Sequence, residues 1–185
     1  MKVLFIGNSH TFVHYVPART AEFCKSYGQP IEPVMLTHPG MGLDWHLRQS
    51  QTYFNLLWGG YDAVILQHNA HPFPGKESLL EAGKQMAAIT PEGTKIYLYM
   101  TWSEKSNPAG QAAMSAAYEA LAEKIDALSV LWDVSGGRPR RPTRMKNSIL
   151  PMENTALCWA RPWQQRLSGA RCWVWRSRRR VAMQM

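Results

Sequence analysis

The sequence predicts an α/β domain, a parallel sheet with helices on both faces, and two observations carry that expectation. Across residues 1–131 short apolar runs alternate with longer segments whose apolar residues recur at helical spacing. Strands separated by helices pair in parallel through right-handed crossovers. In addition, three chemically unusual segments, Gly7–Thr11, His38–Gly42 and Gln67–His71, each follow one of the apolar runs. That is the end of the sheet where α/β proteins bind ligands.

Each element has its own signal. Lys2–Ile6 is a short apolar run ending at Gly7-Asn8, which predicts a buried strand meeting a turn. Val16 to Tyr27 has helical spacing and stops at Gly28. Ile31–Leu36 predicts the second strand, and Leu43–Leu57 a helix ending at Gly59-Gly60. Ala63–Leu66 predicts the third strand, followed by the loop His71-Pro72-Phe73-Pro74-Gly75. Ser78 suits the cap of a helix reaching Ile89, and Lys95–Thr101 predicts a fourth strand. Ala109–Leu128, rich in Ala, Leu, Glu and Lys, predicts the longest helix.

The 185 residues suffice for one domain with a real core. A formal charge of +8 would ordinarily suggest an anionic partner, but its distribution argues against nucleic acid. Residues 1–131 hold nine Lys/Arg and eleven Asp/Glu, whereas residues 132–185 hold twelve Lys/Arg against Asp133 and Glu153 alone. The globular part is thus mildly acidic, and the basicity lies in the tail. Val3-Leu4-Phe5-Ile6 is too short for a membrane span or a signal-peptide core, and no later stretch reaches spanning length. Cys24, Cys158 and Cys172 are odd in number and lack metal-ligand spacing. They are read as reduced thiols, which points to the cytoplasm.

Gly7-Asn8-Ser9-His10-Thr11 places a serine between a strand and a helix, where its own N–H can stabilise the oxyanion its attack creates. Ser9 and Thr11 suit a helix N-cap as well. Gly40 and Gly42 can bring bare N–H groups to a ligand, although Pro39-Gly40-Met41-Gly42 also suits a plain turn. Asn69 stands where its amide can donate into the same cleft, and a loop asparagine equally suits a turn.

Taken together, Gly7-Asn8-Ser9 after the first strand, a glycine after the second and Gln67-His68-Asn69 after the third resemble blocks I to III of the SGNH (GDSL-like) hydrolases. Gly40-Met41-Gly42-Leu43-Asp44-Trp45-His46-Leu47 and Leu66-Gln67-His68-Asn69-Ala70-His71-Pro72-Phe73 resemble one uncharacterised branch of that family. The likeness spans residues 1 to about 130. It implies a three-layer α/β/α fold with a flavodoxin-like parallel sheet, and an esterase whose nucleophile is Ser9. The Ser9 and Gly40 N–H groups and the Asn69 amide would then form the oxyanion hole. The usual Gly-x-Asn-Asp of block III is here Gln67-His68-Asn69-Ala70, which leaves Gln67 as an alternative donor. His10, Gln67, His71 and Trp102 are the expected substrate contacts, with core packing an equal alternative for Trp102. His46, on a helix, is read as holding loops together by hydrogen bonds. The histidine spacings lack a zinc pattern with supporting carboxylates, so neither a metal nor another cofactor is expected.

The family supplies the base for its serine from an Asp-x-x-His block near the C-terminus. Residues 132–185 contain no histidine, yet they hold five of the eight tryptophans, which is foreign to a disordered tail. Reading the codons of Pro151 to Gln165 from their third base accounts for both facts. Met152-Glu153 then forces Gly, Cys158-Trp159 forces Leu, Trp159-Ala160 forces Gly and Trp163-Gln164 forces Ala. The shifted peptide is compatible with Asp-Gly-Glu-His-Gly-Ser-x-Leu-Gly-x-x-Leu-Ala-Ala, an Asp-x-x-His followed by a small-residue helix. Around Trp132–Gly136 the same register permits Val-Gly-Arg-x-Trp, resembling the family's approach to that block. The expectation is an SGNH hydrolase-like domain over residues 1–131, acting on small acyl or carbohydrate esters, with a basic, out-of-frame and poorly ordered tail over 132–185. The rival readings are a non-catalytic carbohydrate- or acyl-binding module and a nucleic-acid-binding arm.

Overall fold

The computed structural model describes residues 1–13, 15–133 and 171–176. Its parallel strands are β1 (Lys2–Gly7), β2 (Glu32–Thr37), β3 (Ala63–Leu66), β4 (Lys95–Tyr99) and β5 (Leu128–Asp133), with β6 (Arg171–Arg176) at the edge. The helices are α1 (Ser9–Phe12), α2 (Val16–Ser26), α3 (Leu43–His46), α4 (Ser50–Trp58), α5 (Lys76–Ile89) and α6 (Gly110–Ile125). The strand order is β2-β1-β3-β4-β5-β6. Leu4 pairs with Val34 on one side and Val64 on the other, and Ile65 pairs with Tyr97. The flavodoxin-like parallel sheet expected from the sequence is therefore present. Its topological switch point lies at β1, flanked by β2 and β3, the position where sheets of this kind bind ligands.

Alternation along the strands builds two cores. Leu4, Ile6, Val64, Leu66 and Leu98 face Leu43 of α3, Leu56 of α4, Leu79 and Met86 of α5, and Tyr118 and Leu121 of α6. Val3, Phe5, Ile65, Tyr97 and Tyr99 form the opposite face with Val16 of α2. Burial on both faces explains why β1 and β3 read as continuous apolar runs rather than alternating ones. Helices α5 and α6 pack closely at Gly83, where a Cβ would stand 2.3 Å from a Leu121 methyl.

Besides strand β5, which was not expected, the sequence-based elements show three differences. The helix expected over Leu43–Leu57 is two helices, α3 and α4, separated at Leu47–Gln49. Helix α5 begins at Lys76 rather than at a Ser78 cap, and Ser78 lies inside its first turn. Thirdly, residues 132–185 are not wholly irregular, as expected of a poorly ordered tail. Trp132 and Asp133 complete β5, and β6 pairs antiparallel with β5, Val130 opposite Val174. An edge strand leaves a row of N–H and C=O groups unpaired, and the β-prone run Cys172-Trp173-Val174-Trp175 is suited to satisfying them. The rest of the tail, including the out-of-frame block at 151–165, lies outside the described residues. Cys24 is disulfide-bonded, which corrects the expectation of reduced thiols. An odd cysteine count leaves room for one bridge, and a cytoplasmic location loses that support. Among the described residues no helix is long and apolar enough to cross a membrane.

Candidate active site

The site starts where β1 runs out. Gly7 ends the strand, and Asn8 caps α1 by accepting the His10 N–H on Oδ1 at 3.1 Å. Asn8 therefore takes the capping role for which Ser9 and Thr11 were the sequence candidates. Ser9 is left at the first helical position with a half-buried side chain. Among the described residues no group hydrogen-bonds the Ser9 hydroxyl, so it does not act as the cap.

Gln67, the first residue after β3, anchors this turn from beneath. It is fully buried, and its Oε1 accepts from the Asn8 N–H at 2.9 Å and from the Thr11 hydroxyl at 3.0 Å. Its Nε2 donates to the His68 carbonyl. Gln67, expected as an alternative oxyanion donor or a substrate contact, is thus fully buried with both ends of its amide bonded to groups of the protein. The space it uses exists because residue 7 is glycine: a Cβ there would lie 2.5 Å from Gln67 Oε1 and 2.6 Å from Thr11 Oγ1. Replacing Gln67 with Met keeps the volume but strands the buried Asn8 N–H. A loss of roughly 1–3 kcal/mol in denaturant unfolding is expected, and an unchanged midpoint would dismiss the anchor.

Asn69 takes the other direction. Half-buried, it accepts from Asn8 Nδ2 at 3.4 Å and donates from Nδ2 to the Gly40 carbonyl at 3.2 Å. One side chain thus joins the loops after β1, β2 and β3 at the switch point. An amide nitrogen carries two hydrogens, so the bond to Gly40 leaves one for a ligand. Gly40 has φ +70°, a conformation that glycine adopts without strain, and open space where a Cβ would be.

A fourth strand end contributes the wall. His71 and the half-buried Trp102, which follows β4, are tied by a 2.9 Å bond from His71 Nε2 to the Trp102 carbonyl. The His10 ring meets both edge-on, its centroid 4.7 Å from that of His71 and 5.8 Å from that of Trp102. His71 and Trp102 open onto a shallow cavity of about 520 Å³, shared with Ser103, Glu104, Lys105 and Ser106. The structure therefore gathers His10, His71 and Trp102 beside the serine turn.

Two more histidines are buried beneath the loops. His46 bonds the Gly7 carbonyl through Nε2 at 2.9 Å, the loop-holding role expected of it. His68 was not singled out by the sequence. Its ring lies under Gly42, where a Cβ would come within 2.8 Å of it, and accepts the Leu43 N–H on Nδ1 at 3.0 Å. Burial pushes the His46 and His68 rings below the usual histidine range, His68 to about 4. Both are neutral at ordinary pH. Among the described residues no three His, Cys, Asp or Glu side chains are gathered as metal ligands.

No protein-family model matches the chain, and no curated protein does. Among solved structures the chain is similar to the psychrotrophic esterase EstA from Pseudoalteromonas sp., with a TM-score of 0.50 and 12% identity over 68% of this chain and 74% of that one. Similarity to TesA has a TM-score of 0.49 and 14% identity, over 70% of this chain and 77% of that one. Similarity to a mutant form of esterase AlinE4 has a TM-score of 0.46 and 18% identity, over 68% and 72%. At such identities a likeness shows the fold alone: this chain has the α/β fold of EstA, with a parallel sheet between helices.

Proposed function

We propose that the chain is built as an SGNH-type serine hydrolase that cleaves acyl or carbohydrate esters through an acyl-Ser9 intermediate. The observation that supports the reading is Asn69, whose amide oxygen accepts from the Asn8 side chain and whose nitrogen donates to the Gly40 carbonyl, linking the three block-like loops. In this reading the Ser9 oxygen attacks the ester carbonyl and the alcohol leaves. The developing oxyanion is held by the Ser9 N–H, the Gly40 N–H and the second hydrogen of the Asn69 amide. His10, His71 and Trp102 flank the acyl or sugar portion.

The proton of Ser9 needs a base. We assign it to the Asp-x-x-His encoded out of frame within 132–185, so that the chain as it stands is impaired, with the oxyanion hole as its remaining source of catalysis. Two measurements test the nucleophile: p-nitrophenyl acetate hydrolysis, and the mass shift on reaction with a p-nitrophenyl alkylphosphonate. Slow turnover and a single phosphonylated residue, both abolished in Ser9→Ala, are the expected results. Hydrolysis unaffected by Ser9→Ala would end the esterase reading. A saturable ligand without any Ser9 chemistry would favour a binding module.

A further inference from the structure

The loops carrying Ser9 and Gly40 are tied together by two imidazole rings, His46 at 0% and His68 at 1% exposure. Their partners fix their tautomers. The Gly7 carbonyl can only accept, so the proton of His46 sits on Nε2, 2.9 Å away. Its Nδ1 is buried with no partner among the described residues, which a bare acceptor tolerates better than a donor would. The Leu43 N–H can only donate, so His68 Nδ1 is bare and Nε2 carries the proton, 3.3 Å from Ser78 Oγ. His68 is itself held by α6, its backbone N–H donating to the Tyr118 hydroxyl at 3.2 Å.

These bonds meet at α3, a single turn that follows the Gly40 loop directly. Leu43, its first residue, is fastened to the end of β3, and His46, its last, to the end of β1. We propose that His46 and His68 are positioning residues, a cross-brace that holds the Gly40 amide in register with Ser9. What the two loops do rests on the proposed function; the brace does not. The charged and titratable groups facing it are Asp44 toward both rings, His38 toward His46 and the Tyr118 hydroxyl at His68. Protonating His68 would set a second N–H against the Leu43 N–H and open the brace.

The two tautomers make opposite demands on a replacement. Asparagine can present its Oδ1 where Nδ1 of His68 stood, and glutamine its Nε2 where Nε2 of His46 stood. His68→Asn and His46→Gln are therefore expected to keep the phosphonylation rate of Ser9 within about threefold. The exchanged pair, His68→Gln and His46→Asn, should slow it roughly tenfold or more, as the loss of one buried hydrogen bond implies. Nitrogen-15 imidazole correlation spectra of the full, unaltered chain at pH 7 should show the Nε2–H form at both rings. A proton on Nδ1 of His68, or none on Nε2 of His46, overturns the brace whatever the variants do, including if they fail to fold. Equal labelling of all four folded variants overturns it too. If the unaltered chain is not phosphonylated at Ser9, the esterase reading fails by itself, and the tautomers alone decide the brace.

Discussion

Restoring one base near codon 130 is expected to raise hydrolysis of a short-chain ester by roughly 10⁴- to 10⁶-fold, the range lost when a serine hydrolase loses a triad member. The oxyanion donors assigned to Ser9, Gly40 and Asn69 all lie in the part of the chain read in frame. The deficit should therefore appear in turnover and leave substrate affinity little changed. Two further changes should accompany the gain. The restored tail should lose most of its positive charge, visible as a lowered isoelectric point. Its small-residue helix should pack on the sheet face that α2 covers, raising the thermal midpoint. The comparison needs the chain as given, the restored chain, and the restored chain carrying Ser9→Ala. A restored chain no faster than the original would reject the out-of-frame base. An unchanged rate in the restored Ser9→Ala variant would reject the nucleophile.

Stability should fall steeply on mild acidification, with His68 as the main titrating cause. Its folded pKa is about 4 against 6.5 for a free ring. Between those values the unfolded chain binds a proton that the folded chain refuses. The contribution is complete above about pH 7, declines as the pH passes below 6.5, and is exhausted near 4. Its size is on the order of 3 kcal/mol. Desolvation is the cause, with Asp44 opposing it. Burial lowers His46 as well, so that ring adds to the same slope. Urea unfolding at intervals from about pH 7.5 to 4.5 measures the effect. His68→Asn, which cannot titrate, should flatten the slope; a variant as acid-sensitive as the original would show that other groups carry it.

Much of the fold was legible because its signals are local. Lys2–Ile6, Ala63–Leu66 and Lys95–Tyr99 are apolar runs bounded by turns, and burial on both faces of a parallel sheet asks for little more. β5 escaped notice because its strand signal adjoins the anomalous tail, and β6 because pairing at a sheet edge is decided by what lies beside it rather than by periodicity. The break between α3 and α4 was hidden for a related reason. Leu43, Leu56 and their neighbours keep helical spacing across it, while the turn after His46 follows from where that ring must reach.

The sequence by itself determined that a serine at a strand-to-helix turn follows the first strand, that a glycine and an asparagine follow the next two, and that residues 132–185 hold no histidine to serve them. Only the tertiary structure separated the surroundings of Gln67 from those of Asn69. Adjacent residues leaving a strand point to opposite sides, and two positions along return to the same side only if the strand continues. Here β3 ends at Leu66, so Gln67 turns inward to the Asn8 and Thr11 donors while Asn69 reaches out to Gly40. It also decided that Asn8, not Ser9, is the cap, and that His68 lies beneath Gly42. Apart from the cap, these outcomes depend on partners more than twenty residues away. A buried donor or acceptor must find a partner in the packed interior, and no local pattern says which one it will meet.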